Sequence, residues 1–297
     1  MRVFIIGSEG QVARSLREAA VGRDDVTLAC GARPDLDLSD PASVERALAA
    51  FGPDVVVNPA AYTAVDKAES EPELAFAINR DGAGAVAAAA AALDVPVIHL
   101  STDYVFDGTK DSPYVETDPV GPTSVYGRSK LAGEEAVAAA NPRHVILRTA
   151  WVYAPFGANF VRTMLRLAAE RDRLRVVDDQ IGCPTAAPDI AAAALDIAMI
   201  LHSNQWDDRF AGVTHLAGPA EMTWCGFATA IMNGSARRGG RAVAVDPITT
   251  ADYPTPAIRP ANSRLSTARL ASVFGVEMPT FDRSLANCLD RLIGVPS

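Results

Sequence analysis

The feature that most narrows the fold is a fivefold alternation of short apolar runs with helix-patterned segments in the first half of the chain. Val3-Phe4-Ile5-Ile6 stops at Gly7, and Gln11–Ala20 then carries a helical pattern. Val26-Thr27-Leu28-Ala29 reads as a second strand. Asp40 reads as an N-cap with Pro41 at the first helical position of a helix through Phe51. A third strand covers 54–58, a long helix opens at Glu71-Pro72 and runs towards Leu93, and a fourth strand covers 95–100. Residues 123–140 are mostly helix and 143–148 form a fifth strand. These strands are apolar throughout rather than alternating, so they are buried on both faces. An α/β doubly wound parallel sheet, Rossmann-like and covered by helices, satisfies that pattern.

After about residue 150 the pattern changes and prolines crowd in, from Pro155 and Pro184 to Pro254, Pro256 and Pro260. The chain therefore divides into a dinucleotide-binding domain over 1–150 and a smaller C-terminal lobe over 151–297. That lobe is mainly substrate-binding, and it partly returns to the sheet at 213–217. A cleft between the two would lie at the carboxyl ends of the strands, where such folds take their ligands. The Ala-rich run Ala83–Ala92 is helix-forming and needs no special function.

Charge and cysteines narrow the class. Thirty-six acidic against 27 basic residues give a net charge of −9, which argues against a nucleic-acid partner and leaves nucleotides open. Cys30, Cys183, Cys225 and Cys288 are scattered, with no metal-ligand spacing, and read as reduced thiols of a cytoplasmic protein. No apolar stretch is long enough to span a membrane, and the chain starts directly on a strand with no room for a signal peptide.

Gly7-Ser8-Glu9-Gly10-Gln11-Val12-Ala13 lies between the first strand and the first helix. Gly7 permits the tight turn, Gly10 lets the backbone approach a pyrophosphate, and the small Ala13 lets helix pack on strand. Helix N-terminal amides then face the phosphates. The second strand ends Leu28-Ala29-Cys30-Gly31 with no carboxylate, and Arg33 follows. An acidic residue there would bind a ribose 2′-hydroxyl, whereas an Arg accommodates a 2′-phosphate, so NADPH is favoured and NADH stays open. Asp37 comes slightly later, near the adenine edge.

Tyr126-Gly127-Arg128-Ser129-Lys130 puts a Tyr and a Lys four residues apart, on one helix face. A nearby ammonium would lower the phenol pKa from ~10 and make it a usable proton donor for a carbonyl reduction. With six Tyr and three Lys in 297 residues, chance supplies only ~0.06 such spacings. The fourth strand ends at Leu100-Ser101-Thr102-Asp103, which offers a hydroxyl to a substrate carbonyl in the cleft. Strand alternation sends Ser101 and Thr102 to opposite faces, and spacing alone does not choose between them. His99 and His144 sit within strands and read as core histidines. Glu69, Glu71 and Glu73 read as a helix start.

Several longer stretches resemble the dTDP-4-dehydrorhamnose reductases of the extended short-chain dehydrogenase/reductase superfamily. They are Val57-Asn58-Pro59-Ala60-Ala61-Tyr62-Thr63-Ala64-Val65-Asp66-Lys67-Ala68-Glu69, Ser101-Thr102-Asp103-Tyr104-Val105-Phe106-Asp107-Gly108 and Val125-Tyr126-Gly127-Arg128-Ser129-Lys130-Leu131-Ala132-Gly133-Glu134. Arg148-Thr149-Ala150-Trp151-Val152-Tyr153, Asp179-Gln180-Ile181-Gly182-Cys183-Pro184-Thr185 and the segments around Tyr253 and Arg259 fit the same family, so the resemblance covers essentially the whole chain.

The resemblance implies reduction of the C4 carbonyl of dTDP-4-dehydro-6-deoxy-L-mannose to dTDP-L-rhamnose, the substrate being a dTDP-sugar. Tyr126 would be the proton donor, Lys130 its partner and Thr102 the hydroxyl beside the carbonyl. Asp103 and Trp151 would contact the sugar nucleotide. Gly10, Gln11, Val12, Asp37, Leu38, Ala60, Ala61 and Tyr62 would line the dinucleotide, Tyr62 standing where many relatives have His. Another deoxysugar, or a non-catalytic relative, are the competing readings. Some relatives bind magnesium through glutamates at a dimer interface. Ser15 stands at that position here, so no metal is expected, and a homodimer is left open.

Overall fold

The computed structural model describes residues 1–295. Strand β1 (Arg2–Ile6) leads through the glycine turn into helix α1 (Gln11–Ala20), then β2 (Thr27–Gly31), α2 (Pro41–Phe51) and β3 (Val55–Asn58). Three short helical pieces follow: α3 (Val65–Ala68), α4 (Pro72–Phe76) and α5 (Ala83–Ala92). Strand β4 (Val97–Thr102), α6 (Val125–Ala140) and β5 (His144–Thr149) complete the repeating part.

These strands and Gly212–His215 make one six-stranded sheet. Its order is Gly212–His215, β5, β4, β3, β1, β2, and every neighbouring pair is parallel. The chain leaves β1 towards β2 and then returns to β3 on the other side. The topological switch point therefore lies between the carboxyl ends of β1 and β3, the place where doubly wound sheets bind ligands. Gly7 and Ala60 flank that crevice: a Cβ on Gly7, whose φ is +92°, would come 3.6 Å from the Ala60 methyl.

Both faces of the sheet are covered, which is why its strands are apolar on both sides. On one face Val3, Ile5, Val57 and Ile98 pack against Leu16 of α1 and Ile190, Leu195 and Ile197 of a later helix, Ala187–Ser203. On the other, Phe4, Val56 and Val97 pack against Leu48 of α2, Val86 of α5 and Val137 of α6. A second core, with Val161, Met164, Phe227, Ile231 and Leu289, joins helices Phe160–Glu170, Trp224–Ala236 and Phe281–Leu292 to the parallel strand pair Arg173–Val177 and Ala244–Ile248.

The elements differ from the sequence-based expectation at their edges and in one helix. β2 runs two residues further than expected, because its register with β1 continues to Ile6 opposite Gly31. β4 likewise reaches Thr102, paired with Thr149. The α6 helix starts at Val125 rather than 123, where the Ser124 side chain caps it by accepting from the Gly127 N–H at 3.1 Å. The long helix expected from Glu71 is broken into α4, a π-helical turn at Ala77–Gly82 and α5. Asp40 does cap α2, accepting from the Ala42 N–H at 3.2 Å. Among the described residues no helix is long and apolar enough to cross a membrane.

Candidate active site

Helix α6 presents Tyr126, Lys130 and Glu134 as a buried stripe, each one turn from the next. It reaches this depth because two glycines let bare backbone approach bare backbone. A side chain at Gly127 would collide with the Tyr104 carbonyl, and one at Gly133 with the Asn79 carbonyl. The π-helical turn supplies the matching partner, since such turns re-aim side chains at functional sites. Asn79 Nδ2 donates to Ser129 Oγ at 2.9 Å and to the Tyr62 carbonyl at 3.1 Å, and Asn79 Oδ1 accepts from the Tyr62 N–H at 2.8 Å. One side chain thus ties the loop after β3 to the helix that carries Tyr126.

The end of β4 separates the two adjacent hydroxyls. Ser101 Oγ donates to Glu134 Oε1 at 2.5 Å, inside a buried ion pair where Arg148 grips Glu134 with two hydrogen bonds of 2.9 and 2.6 Å. That hydroxyl is fully engaged in the core. Thr102 turns the other way, accepts from the Tyr104 N–H at 3.2 Å and donates to Asp103 Oδ1 at 2.9 Å. Thr102 also lies near enough to the Tyr126 phenol to stabilise its ionised form against burial. Tyr104 packs edge-on against Tyr126, with ring centroids 5.6 Å apart.

The electrostatics of the Tyr–Lys pair differ from the expectation. Burial drives the Tyr126 phenol well above its ordinary value, Asp103 and Tyr104 push it the same way, and no influence of Lys130 is resolved. The Lys130 ammonium is aimed elsewhere: Nζ donates to the Leu100 carbonyl at 2.7 Å and lies 3.3 Å from His99 Nε2. Burial lowers the Lys130 pKa to about 8, against the pull of Glu134. Asp103 is also buried, and desolvation raises its carboxyl to about 6 although the hydroxyls of Ser263 and Thr102 oppose that. Its Oδ2 atom has no hydrogen-bond partner within the described protein.

At the glycine turn, Gly10 caps α1 without any side-chain hydrogen bond, and the first helical turn carries no acidic residue. A Cβ at Gly10 would meet open space. The first amides of α1 are therefore unpaid donors beside an open turn, which fits a dinucleotide pyrophosphate. The side chains of Gln11 and Val12 are committed elsewhere. Gln11 Oε1 accepts from Asn159 Nδ2 at 3.0 Å, and Val12 packs beside Ala154 and Phe156, so only their backbone faces the turn. Arg33 is exposed and close enough to Asp37 to favour its carboxylate. The main holder of Asp37 is Ser39, which donates through its hydroxyl at 2.7 Å and its amide at 2.9 Å. Leu38 underlies this loop and fills the space beside Gly82. Tyr62 is anchored by its hydroxyl, which donates to Glu71 at 2.7 Å. Ala60 and Ala61 are half-buried between these anchors, at the switch point. Ser15 is buried in α1.

Trp151 follows β5 in a left-handed conformation, with φ +48°. Its indole stacks flat on Trp224, with centroids 3.5 Å apart and planes 8° from parallel, and a side chain at Gly182 would overlap it. It is half-buried, neither a core Trp nor a free cleft wall. Trp224 went unnoticed in the sequence, and Asn58, Arg148 and Glu134 stood within the family-like stretches with no role given to their side chains. The same holds for Arg259: it clasps Asp66 at 2.7 Å and meets the Tyr104 hydroxyl at 3.2 Å. Each of these depends on contacts between residues far apart in the chain. Glu71 and Glu73 do stand at a helix start, as the N-cap position and first turn of α4, and the carboxylates also hold neighbours: Glu69 accepts from the Val125 N–H at 2.8 Å and Glu71 from Tyr62.

Comparison with known proteins places this geometry. Residues 1–293 match the family model of the RmlD substrate binding domain. A dTDP-4-dehydrorhamnose reductase of Sinorhizobium fredii is 52% identical over 285 residues, covering 96% of this chain and 95% of the relative. The crystal structure of a dTDP-4-dehydrorhamnose reductase from Clostridium acetobutylicum superposes with a TM-score of 0.90 at 37% identity, covering 98% of this chain and 99% of that one. A Bacillus anthracis dTDP-4-dehydrorhamnose reductase, solved in complex with NADP, superposes with a TM-score of 0.89 at 31% identity, covering 97% and 98%.

Proposed function

The chain belongs to the dTDP-4-dehydrorhamnose reductase family, and from that premise we propose that it uses NADPH to reduce the C4 carbonyl of dTDP-4-dehydro-6-deoxy-L-mannose to dTDP-L-rhamnose, with Tyr126 as proton donor. The observation that carries the reading is the convergence of Thr102 and Tyr126 where β4 ends and α6 begins, with Lys130 one turn behind. When bound, the dinucleotide supplies a hydride to C4. The glycine turn, Arg33, Asp37, Leu38 and the Ala60-Ala61-Tyr62 loop would hold it, the exposed Arg33 guanidinium selecting a 2′-phosphate.

The protein's own part is acid catalysis. Tyr126 is protonated at every physiological pH, so its phenol can give a proton to the oxygen that gains charge at C4. Thr102 Oγ steadies that oxygen once its own proton swings from Asp103 towards the substrate. Lys130, whose Nζ is turned to Leu100 and His99, restores the proton by way of water, a role its lowered pKa suits. Asp103 and the stacked Trp151 line the sugar side, where an indole face offers apolar contact to a pyranose.

Mixing the purified protein with dTDP-4-dehydro-6-deoxy-L-mannose and NADPH should consume NADPH at ordinary enzymatic rates, and NADH more slowly. Consumption with other 4-keto sugar nucleotides but not this one would overturn the assignment of substrate.

A further inference from the structure

Two buried side chains that the chemistry above leaves idle meet behind Lys130. Asn58 ends β3 and His99 lies in the middle of β4, and both are fully buried. Asn58 Oδ1 accepts from the Ala60 N–H at 3.2 Å, which turns the amide NH2 of Asn58 onto His99 Nδ1, also at 3.2 Å. The opposite ring nitrogen, Nε2, lies 3.3 Å from Lys130 Nζ.

Donor counting then fixes the ring. Burial holds His99 well below its ordinary pKa, and the neighbouring Lys130 adds to this, so the imidazole is neutral and has one N–H and one lone pair. The Asn58 amide takes the lone pair at Nδ1. The ring proton is therefore on Nε2 and points at Lys130. An ammonium has three donors and no lone pair, so it would meet that N–H donor to donor. A neutral amine accepts from it and still donates to the Leu100 carbonyl. The other charged neighbours leave room for this. Glu134 favours the ammonium, but its carboxylate is already gripped by Arg148 and Ser101, and Tyr126 is a neutral phenol.

We propose that Asn58 and His99 form a positioning pair that locks the Nε2–H tautomer of His99 and so makes Lys130 a stronger acid, ready to replace the proton that Tyr126 gives up. This rests on the reading of Tyr126 as the donor. The step balances: the Tyr126 O–H bond breaks as the product O–H forms, an N–H bond of Lys130 then breaks to protonate a bridging water whose own proton reforms the Tyr126 O–H, and the lone pair left on Nζ accepts from His99 Nε2–H. Water recharges Lys130 after product leaves.

The test is two-bond 1H–15N spectroscopy of the full chain labelled with 15N-histidine. There are four histidines, and His99→Gln assigns the signal. Wild type should show His99 neutral and protonated at Nε2. Asn58→Leu removes the donor at Nδ1 without adding charge, and should release the ring towards the Nδ1–H form. Its kcat should then fall with rising pH about one unit later than in wild type, because Lys130 stays charged longer. If Asn58→Leu does not fold, Asn58→Asp, whose carboxylate demands a proton on Nδ1, should shift both readings in the same direction. A wild-type ring protonated at Nδ1, or a folded Asn58 variant with an unmoved tautomer, would overturn the proposal. The spectra need no substrate, so an absent reductase activity would count against the proposed function and leave the tautomer to decide this inference.

Discussion

Replacing Asp103 by Asn should change how stability depends on pH, the variant gaining on wild type as the pH rises from about 4 to 6, while harming its activity. Asp103 is buried, and desolvation raises its carboxyl to about 6 from an ordinary value of 3.8. A group with a raised folded-state pKa contributes stability that is fully present below its unfolded pKa and is lost as the pH rises through the folded one. The window here is therefore about pH 4 to 6. A shift of roughly two units at ~1.4 kcal/mol each puts the loss at about 3 kcal/mol. An Asn keeps Oδ1 as the acceptor for Thr102 Oγ and carries no charge to desolvate. Its NH2 would replace the unpartnered Oδ2, and an unsatisfied amide costs ~1–3 kcal/mol at every pH. The absolute difference between the two proteins is thus small, but its pH dependence is not. Urea unfolding of both proteins at half-unit steps from pH 4 to 8 should show the variant gaining on wild type by about 3 kcal/mol, with most of the gain between pH 4 and 6. Subtracting one protein from the other removes the surface carboxylates, such as Glu18 and Asp81, whose lowered pKa values act in the opposite direction. A difference that stays flat with pH would show that Asp103 is not desolvated as the structure implies. Turnover of the variant should fall, because the carboxylate proposed to face the sugar is gone.

Three further outcomes follow from the site. Tyr126→Phe should lower kcat by ~10²–10⁴-fold with dinucleotide affinity nearly unchanged, checked by steady-state kinetics and cofactor titration, since a lost general acid is worth that much. Arg33→Ala should weaken NADPH binding by about ten- to a hundred-fold and leave NADH almost untouched, as a lost charge-assisted contact of ~1.5–3 kcal/mol requires; equal losses for both in calorimetry would remove Arg33 from the 2′-phosphate. Trp151→Ala should raise KM for the sugar nucleotide and also lower the melting temperature, because the stack on Trp224 and the contact with Gly182 disappear together; a lower melting temperature with unchanged KM would leave Trp151 purely structural.

The layers of the fold were legible wherever local rules decide them. Continuous apolar runs such as Val55-Val56-Val57 marked strands buried on both faces, and Asp40-Pro41 marked a helix start that forms as read. The π-helical turn at Ala77–Gly82 had no such signature: it is set by Asn79 reaching across to Tyr62 and Ser129, a contact between elements. The same limit governed the site. Strand alternation separated Ser101 from Thr102, but only the buried Glu134–Arg148 pair shows which hydroxyl is already spent. The helical spacing of Tyr126 and Lys130 was plain, whereas the direction of the ammonium was not, because its partners His99 and Leu100 sit on a different element. His99 reads as a core histidine and is one, yet its position behind Lys130 emerges only from the packing of α6 on β4.

The most direct test of the central claim is the fate of the transferred hydrogen. Incubating the purified protein with dTDP-4-dehydro-6-deoxy-L-mannose and NADPH deuterated at the transferable position should give a nucleotide sugar one deuterium heavier than dTDP-L-rhamnose. Its NMR spectrum should place the label at C4 with the L-rhamnose configuration. A label elsewhere, the opposite configuration at C4, or no product from a folded protein that binds NADPH would contradict it.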